Sequence, residues 1–244
     1  MQDTTMKTLE QDTSSTPRIL CTGHKGFIGS HLTPRLKDWV GVDLKDGQNL
    51  LTCELPKNIH LIYHLAAQSS VEASWHDPLH DLDNIRITAR LAHAYPKAKI
   101  VYVNSCASSS FSSSPYAFSK GTSEVYLYCF HKKNISLVLP NIYGPGSKSV
   151  VDLFKGQKSV TIYGKGDHTR TYVHVADVVD ALLKAPTWNG QQYSLGGPDR
   201  LTVKDLAKGK KVTYKPARKE APHVTVLNNT PNWKPKIRVK DYLK

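Results

Sequence analysis

Thr22-Gly23-His24-Lys25-Gly26-Phe27-Ile28-Gly29-Ser30-His31-Leu32 is the stretch that decides the fold. Directly before it, Arg18-Ile19-Leu20-Cys21 reads as a short buried strand, and an amphipathic run extends from Phe27 to Leu36. Strand, glycine turn and helix, in that order, form the context in which such a signature holds a dinucleotide. Gly23 allows the tight turn, Gly26 lets the backbone approach a pyrophosphate, and Gly29 permits close packing of helix on strand. Free N–H groups at the helix start would then face the anion, beside Lys25, Phe27 and Ile28. Pro34 lies inside the expected helix, where proline removes a backbone hydrogen bond at a cost of about 3 kcal/mol, so this helix is expected to be kinked or short.

A second apolar strand, Val40-Gly41-Val42, ends in Asp43. A carboxylate roughly 20 residues beyond the glycines sits where a ribose hydroxyl would lie. Asp43 therefore argues for NAD, because a carboxylate accepts from the 2′-hydroxyl and repels a 2′-phosphate. Lys25, within the glycine loop, would instead favour the additional phosphate of NADP. Taken alone, Asp43 is also a common turn residue.

Three Y-x-x-x-K spacings occur: Tyr95 to Lys99, Tyr116 to Lys120 and Tyr128 to Lys132. Tyr95 precedes Pro96, which disfavours helix at that point, and Tyr128 falls late in a helical run ending near Asn134. Only Tyr116 stands at a helix start, after Pro115 and a serine-rich loop, with Lys120 one turn on and on the same face. A tyrosine hydroxyl, with an ordinary pKa near 10, is a poor base at neutral pH. A neighbouring ammonium and a cationic nicotinamide ring would both lower that value, so Lys120 is expected both to tune Tyr116 and to hold the cofactor ribose.

With these residues in hand, the chain resembles the extended short-chain dehydrogenase/reductase family, in its NAD-dependent nucleotide-sugar epimerase and dehydratase branch. Seven blocks follow the family's order: the glycine motif, His64-Leu65-Ala66-Ala67-Gln68, the strand Ile100 to Ser105, Tyr116 with Lys120, Pro140 to Gly146, Arg170 to Ala181, and Asn232 to Lys236. The fold implied is α/β, a Rossmann-type doubly wound parallel sheet with a small C-terminal substrate-binding region. Residues 17–144 would form the NAD-binding part, 145–244 the substrate-binding part, and 173–197 would return to the first.

The resemblance also implies roles. Ser105 matches the active-site hydroxyl, with Cys106 the competing alignment one residue on, and Asn104 precedes it beside the cofactor. Asn49 and Leu50 would flank the adenine, and Leu65, Ala66 and Ala67 would line the pyrophosphate and nicotinamide ribose. Ser69, Asn141, Tyr163 and Arg170 would bind the substrate, a nucleotide-diphosphate sugar. A planar guanidinium suits a diphosphate, which it can clamp with two parallel hydrogen bonds. Family members commonly pair through two helices, here Pro78 to Ala94 and Tyr116 to Lys132, so a homodimer is expected.

Departures from the pattern mark a trimmed member. Lys45 to Ile59 is too short for the helix and strand that relatives place there, and the loop between Ser105 and Tyr116 is abbreviated to a run dominated by serine. Such hydroxyl-rich sequence reads as a flexible linker that would leave the sugar pocket open. Gly121 should weaken the catalytic helix by roughly 1 kcal/mol relative to alanine. Dehydratases and decarboxylases of this branch carry an acid just after the active-site hydroxyl, where this chain has Cys106 and Ala107. Epimerisation at C4 through a 4-keto intermediate is therefore preferred, in the manner of a UDP-glucose 4-epimerase. A nucleotide-4-keto-sugar reductase or dehydratase is the alternative.

Composition agrees with a compact enzyme: 244 residues, 39% apolar, suffice for one large core in one or two domains. Residues 1–16 are polar and read as a disordered tail, no segment is apolar enough to span a membrane, and the four cysteines show no paired ligand spacing. A reduced cytoplasm is the expected setting. No metal site is expected, and His64 and His174 are read as organisers of strand ends. The formal net charge of +13 raises a basic nucleic-acid-binding protein as a rival. Much of the excess lies after Leu201, at Lys208, Lys210, Lys211, Lys215, Arg218, Lys219, Lys234, Lys236, Arg238 and Lys240, with no recognised nucleic-acid module beside it. A solvated basic surface that steers an anionic substrate is the simpler reading. A non-catalytic NAD-binding regulator is the remaining rival, opposed by the joint presence of Ser105, Tyr116 and Lys120.

Overall fold

The structure, a computed structural model, describes residues 18–130, 132–217 and 225–244. The tail expected over 1–16, together with Arg218 and Lys219 of the basic segment, lies outside the described residues. The glycine stretch is framed by β1 (Arg18–Thr22) and α1 (Phe27–Leu32), followed by β2 (Trp39–Val42) and β3 (Ile59–His64). Next come α2 (Val71–His76), α3 (Pro78–Ala94), β4 (Lys99–Ser105), α4 (Pro115–Phe130) and β5 (Ile135–Leu139). A six-stranded sheet in the order β2-β1-β3-β4-β5-β9 is parallel throughout, β9 being Gln192–Ser194. The chain thus starts near one edge, steps outward once and then winds the other way, so a crevice opens where the carboxyl ends of β1 and β3 part.

Sequence explains why this sheet is covered on both faces. Strands of a parallel sheet buried on two sides read as continuous apolar runs, and successive residues of each strand enter opposite cores. Cys21, Tyr63, Val101 and Leu137 pack with Leu32, Val178, Leu182 and Trp188 on one side. Leu20, Ile62, Ile100 and Tyr102 pack with Leu91 and Leu127 on the other. α1 is short, as Pro34 requires: it stops at Leu32 and passes into a 3-10 turn over Thr33–Arg35. Between Asp43 and β3 there is only a 3-10 turn, Leu44–Asp46, which leaves β2 as the sheet edge.

After β5 the chain builds smaller layers: β6 (Asn141–Tyr143), α5 (Val150–Phe154), β7 (Ser159–Tyr163), β8 (Arg170–His174), β10 (Asp199–Leu201), α7 (Val203–Leu206), β11 (Lys211–Lys215) and α8 (Val239–Tyr242). A three-stranded sheet β10-β8-β6 and the pair β11-β7 enclose a separate core that includes Tyr143, Phe154, Ile162, Tyr172 and Val239. α6 (Val175–Lys184) packs against α1, and β9 pairs with β5, carrying the chain back to the large sheet.

The C-terminal segment is tied to α6 through Asp177. Its Oδ2 accepts from the backbone N–H of Lys236 and of Ile237, each at 2.9 Å, while its carbonyl accepts from Trp233 Nε1 at 2.9 Å. Trp233 is almost fully buried in the same core as β1 and α6. Trp233→Ala should therefore lower stability by about 3–5 kcal/mol, read as a reduced midpoint in urea unfolding. An exposed control such as Lys234→Ala should change it by less than about 0.5 kcal/mol.

Candidate active site

A cleft of about 1250 Å³ opens at the carboxyl ends of β1, β3 and β4 and runs on to β6 and β7. Its floor is the glycine turn. Gly23 has φ +70°, and a Cβ there would lie 2.7 Å from the amide nitrogen of Ala66; a Cβ on Gly29 would lie 2.6 Å from His24 Cα. Gly26 caps α1 without any side-chain acceptor, so the first N–H groups of the helix carry no side chain across them. Asn104 Oδ1 accepts from Ser105 N at 2.8 Å, whereas its Nδ2 is buried without a partner. A bare N–H cradle, an orphaned amide donor and an almost buried carboxylate, Asp43, fit a dinucleotide pyrophosphate, nicotinamide end and ribose respectively.

The residues singled out in the sequence converge here. Lys25, Phe27, Ile28, Asp43, Asn49, Leu50, Leu65, Ala66, Ala67 and Asn104 line the cleft with the three glycines, and so do Ser69, Ser105, Cys106, Tyr116, Lys120, Asn141, Tyr163 and Arg170. His64 holds the strand ends together: its Nδ1 accepts from Thr22 Oγ1 at 2.8 Å and its Nε2 donates to Thr88 Oγ1 at 3.0 Å. Thr88 gives its own proton to the Asn84 carbonyl, which sets that direction. Burial, aided by the charge of Lys120, lowers the His64 pKa to about 3, so the ring is neutral. His174 caps α6 by accepting from Ala176 N. Among the described residues, no group of three His, Cys, Asp or Glu side chains is placed to hold a metal ion.

The catalytic candidates depart from the electrostatic expectation. Tyr116, on the first turn of α4, is pushed up to about 12 by burial, against a hydrogen bond from the Ser105 side chain that pulls the other way; the charges of Cys106 and Asp81 add to the rise. Lys120 does not offset it. Its ammonium donates to the Val103 carbonyl at 2.7 Å and lies 4.1 Å from the centre of the Tyr102 ring, and burial lowers it to about 7. The desolvation of both groups outweighs their proximity, so the depression of Tyr116 expected from Lys120 is reversed.

The serine-rich loop is also not a flexible linker. Cys106–Ser110 forms a 3-10 turn in which Ser105 Oγ accepts from Ala107 N, Ser108 Oγ donates to the Ser105 carbonyl at 2.7 Å and Ser109 Oγ donates to the Cys106 carbonyl at 2.8 Å. Ser114 accepts from Ala117 N at 3.1 Å at the start of α4. The serines therefore satisfy backbone groups locally, as short hydroxyl side chains do in turns and caps. Gly121 acquires a reason too: a Cβ there would press on the Phe111 ring, 2.6 Å from Cδ2, and that ring packs edge-on against Phe118.

One part of the site escaped the sequence reading. Asp152 accepts from Ser147 Oγ at 2.6 Å, Ser149 Oγ at 2.7 Å, Gly144 N at 3.1 Å and Tyr242 Oη at 2.6 Å, fixing the loop that carries Lys148 along the cleft. The spacing Ser149-x-x-Asp152 before an apolar run is a helix-capping signal that could have located it.

Comparison with known proteins agrees with this geometry. Residues 19–196 match the NAD dependent epimerase/dehydratase family, and the chain belongs to that family. It is 33% identical to a UDP-glucose 4-epimerase of Mycolicibacterium smegmatis over 78% of this chain and 80% of that protein. A dTDP-D-glucose 4,6-dehydratase of Dictyostelium discoideum is 26% identical over 78% of this chain and 61% of its own length. The structure of MoeE5 in complex with UDP-glucuronic acid and NAD superposes with a TM-score of 0.78 at 25% identity, over 93% of this chain and 96% of that one. Among the described residues, no helix is long and apolar enough to cross a membrane.

Gly121→Ala should destabilise by about 1–3 kcal/mol despite alanine's better helix propensity. Combining it with Phe111→Ala should return much of that loss, a coupling visible in a double-mutant cycle of denaturant unfolding. Lys120 gives a pH test. Its folded-state pKa near 7 lies below the unfolded value of about 10.4. Between those values the unfolded chain binds more protons, so the burial penalty is full below about pH 7 and fades as pH rises toward 10. In ligand-free protein, Lys120→Met should raise the melting temperature most at pH 6, with the difference from wild type shrinking by pH 9.

Proposed function

We propose that the protein is an NAD-dependent nucleotide-sugar epimerase acting at C4, as a UDP-glucose 4-epimerase does. The observation that carries this reading is the joint lining of one cleft by Ser105, Tyr116 and Lys120 beside the glycine turn. Ser105, rather than Cys106, is assigned as the active-site hydroxyl, because it carries a hydroxyl and acts to lower the Tyr116 pKa, whereas Cys106 acts to raise it. NAD, bound along Gly23, Gly26, Gly29 and Asp43, supplies the acceptor and donor of the C4 hydride. Tyr116 takes the proton of the C4 hydroxyl and later returns it, and Ser105 holds that hydroxyl in line. Lys120 holds the nicotinamide ribose. Asn141 and Arg170 take the diphosphate, while Ser69 and Tyr163 contact the remainder of the sugar nucleotide.

Cys106 and Ala107 support epimerisation over elimination, since neither side chain can serve as the carboxylate that moves a second proton. The 33% identity to a UDP-glucose 4-epimerase supports the same choice and makes UDP-glucose the first substrate to test. We also assign 17–144 to the cofactor and 145–244 to the sugar nucleotide, with 173–197 returning to the first part. A homodimer through α3 and α4 is part of this reading, supported by the exposure of Leu79, Leu82, Phe118 and Val125 on those helices.

The test is incubation with NAD and UDP-, GDP-, dTDP- and CDP-sugars, with products followed by NMR. Interconversion of a C4 epimer pair without net change in NAD is expected. Tyr116→Phe should lower the rate by about 10²–10⁴-fold, the usual contribution of a positioned acid–base group. Consumption of NADH with an added 4-keto sugar, and no epimerisation, would replace this reading with a reductase.

A further inference from the structure

Two residues of opposite sign, Asp43 and Lys25, point to different dinucleotides, and the geometry around them introduces a third. We propose that Asp46 is a positioning residue for cofactor choice, holding the Lys25 ammonium in an ion pair so that it is not offered to a 2′-phosphate. This rests on the reading of the cleft as a dinucleotide site.

The turn after β2 makes the arrangement. Asp43 Oδ1 accepts from Lys45 N at 2.9 Å and opens the 3-10 turn Leu44–Asp46, which Gly47 closes at φ +73°. Its Oδ2 accepts from Lys25 N at 2.8 Å, binding the glycine loop to the end of β2. The turn sets Asp46 against that loop: Oδ1 pairs with the Lys25 ammonium, and Oδ2 lies 3.1 Å from His24 Nε2. The other ammonium is also engaged, Lys45 Nζ donating to the Lys25 carbonyl at 2.7 Å.

Lys25, Asp43 and Lys45 line the cleft, and Asp46 holds the ammonium of Lys25. Two carboxylates therefore balance two ammonium groups at the place where the adenosine ribose would meet Asp43. A phosphate monoester brings a charge of about −1.5 to −2 at pH 7. It would arrive beside the Asp43 carboxylate with both ammonium groups already committed. NAD, bearing a hydroxyl there, needs only an acceptor, and each Asp43 oxygen keeps a further lone pair for it. With side chains 46% and 30% exposed, the Lys25–Asp46 pair contributes little to stability. Its consequence lies in where it keeps the charge.

Replacing Asp46 with asparagine leaves two ammonium groups facing one carboxylate and frees Lys25 to swing into the cleft. The experiment is calorimetric titration of NAD and of NADP into wild type, Asp46→Asn, Lys25→Met and the double variant, each shown to be folded by circular dichroism. Asp46→Asn should raise affinity for NADP relative to NAD by about tenfold. That gain should vanish in the double variant, and Lys25→Met alone should leave the ratio within about twofold of wild type. An unchanged ratio in Asp46→Asn, or a gain that survives removal of Lys25, would overturn the proposal while NAD binding by wild type left the dinucleotide reading intact. Should Asp46→Asn not fold, a tenfold loss of NADP affinity in Lys25→Met would overturn it, and an unchanged ratio would uphold it. Wild type that bound neither dinucleotide would overturn the reading of the cleft and the proposal with it.

Discussion

The close approach of the glycine turn to the end of β3 is the constraint on which the rest of this protein depends. Gly23 sits at positive φ with no room for a Cβ beside Ala66, so β1 can turn into α1 directly over the neighbouring strand. Thr22, His64 and Thr88 lock the same junction from beneath through a buried hydrogen-bond chain, and Thr22 Oγ1 also accepts from Ala66 N. Because the imidazole is neutral and both its nitrogens are satisfied, this Thr22–His64–Thr88 relay carries no buried charge and no unmet donor. The crevice above it is therefore a product of backbone geometry, present before any ligand arrives.

Burial governs the electrostatics of the cleft. Tyr116 and Lys120 are both driven toward their uncharged forms, the phenol upward and the ammonium downward, because water is excluded more effectively than the two groups compensate each other. The Val103 carbonyl and the Tyr102 ring hold the lysine nitrogen in place. A phenolate in this pocket thus requires further positive charge nearby, and within the proposed reaction that condition belongs to the cofactor-bound state.

Short connections are closed by local capping. Between β2 and β3, Asp43 and Gly47 bracket a single 3-10 turn. Where the loop before α4 is short, three serines bond neighbouring backbone groups, and Phe111 lies against Gly121. Asp152 does the same for the loop after β6, drawing in Tyr242 from the last helix. In each case a short polar side chain meets backbone donors or acceptors that a longer element would have satisfied within itself.

The sequence by itself determined the glycine turn, the shortened α1 and the pairing of Tyr116 with Lys120, through glycine and proline conformations and helical spacing. The order of the parallel sheet and most of the other cleft residues, Asn141 and Arg170 among them, were legible only through resemblance to a family. Only the tertiary structure decided how the groups behave once assembled. The direction of the Tyr116 shift depends on its burial with Ala107 and against Val71 of α2, and the engagement of Lys25 depends on Asp46, 21 positions away. The fit of Phe111 against Gly121 depends on the serine loop folding back on α4. The role of Asp152 depends on a tyrosine 90 residues further along the chain. Burial and long-range contact are properties of the packed molecule, and no periodicity in a one-dimensional sequence encodes them.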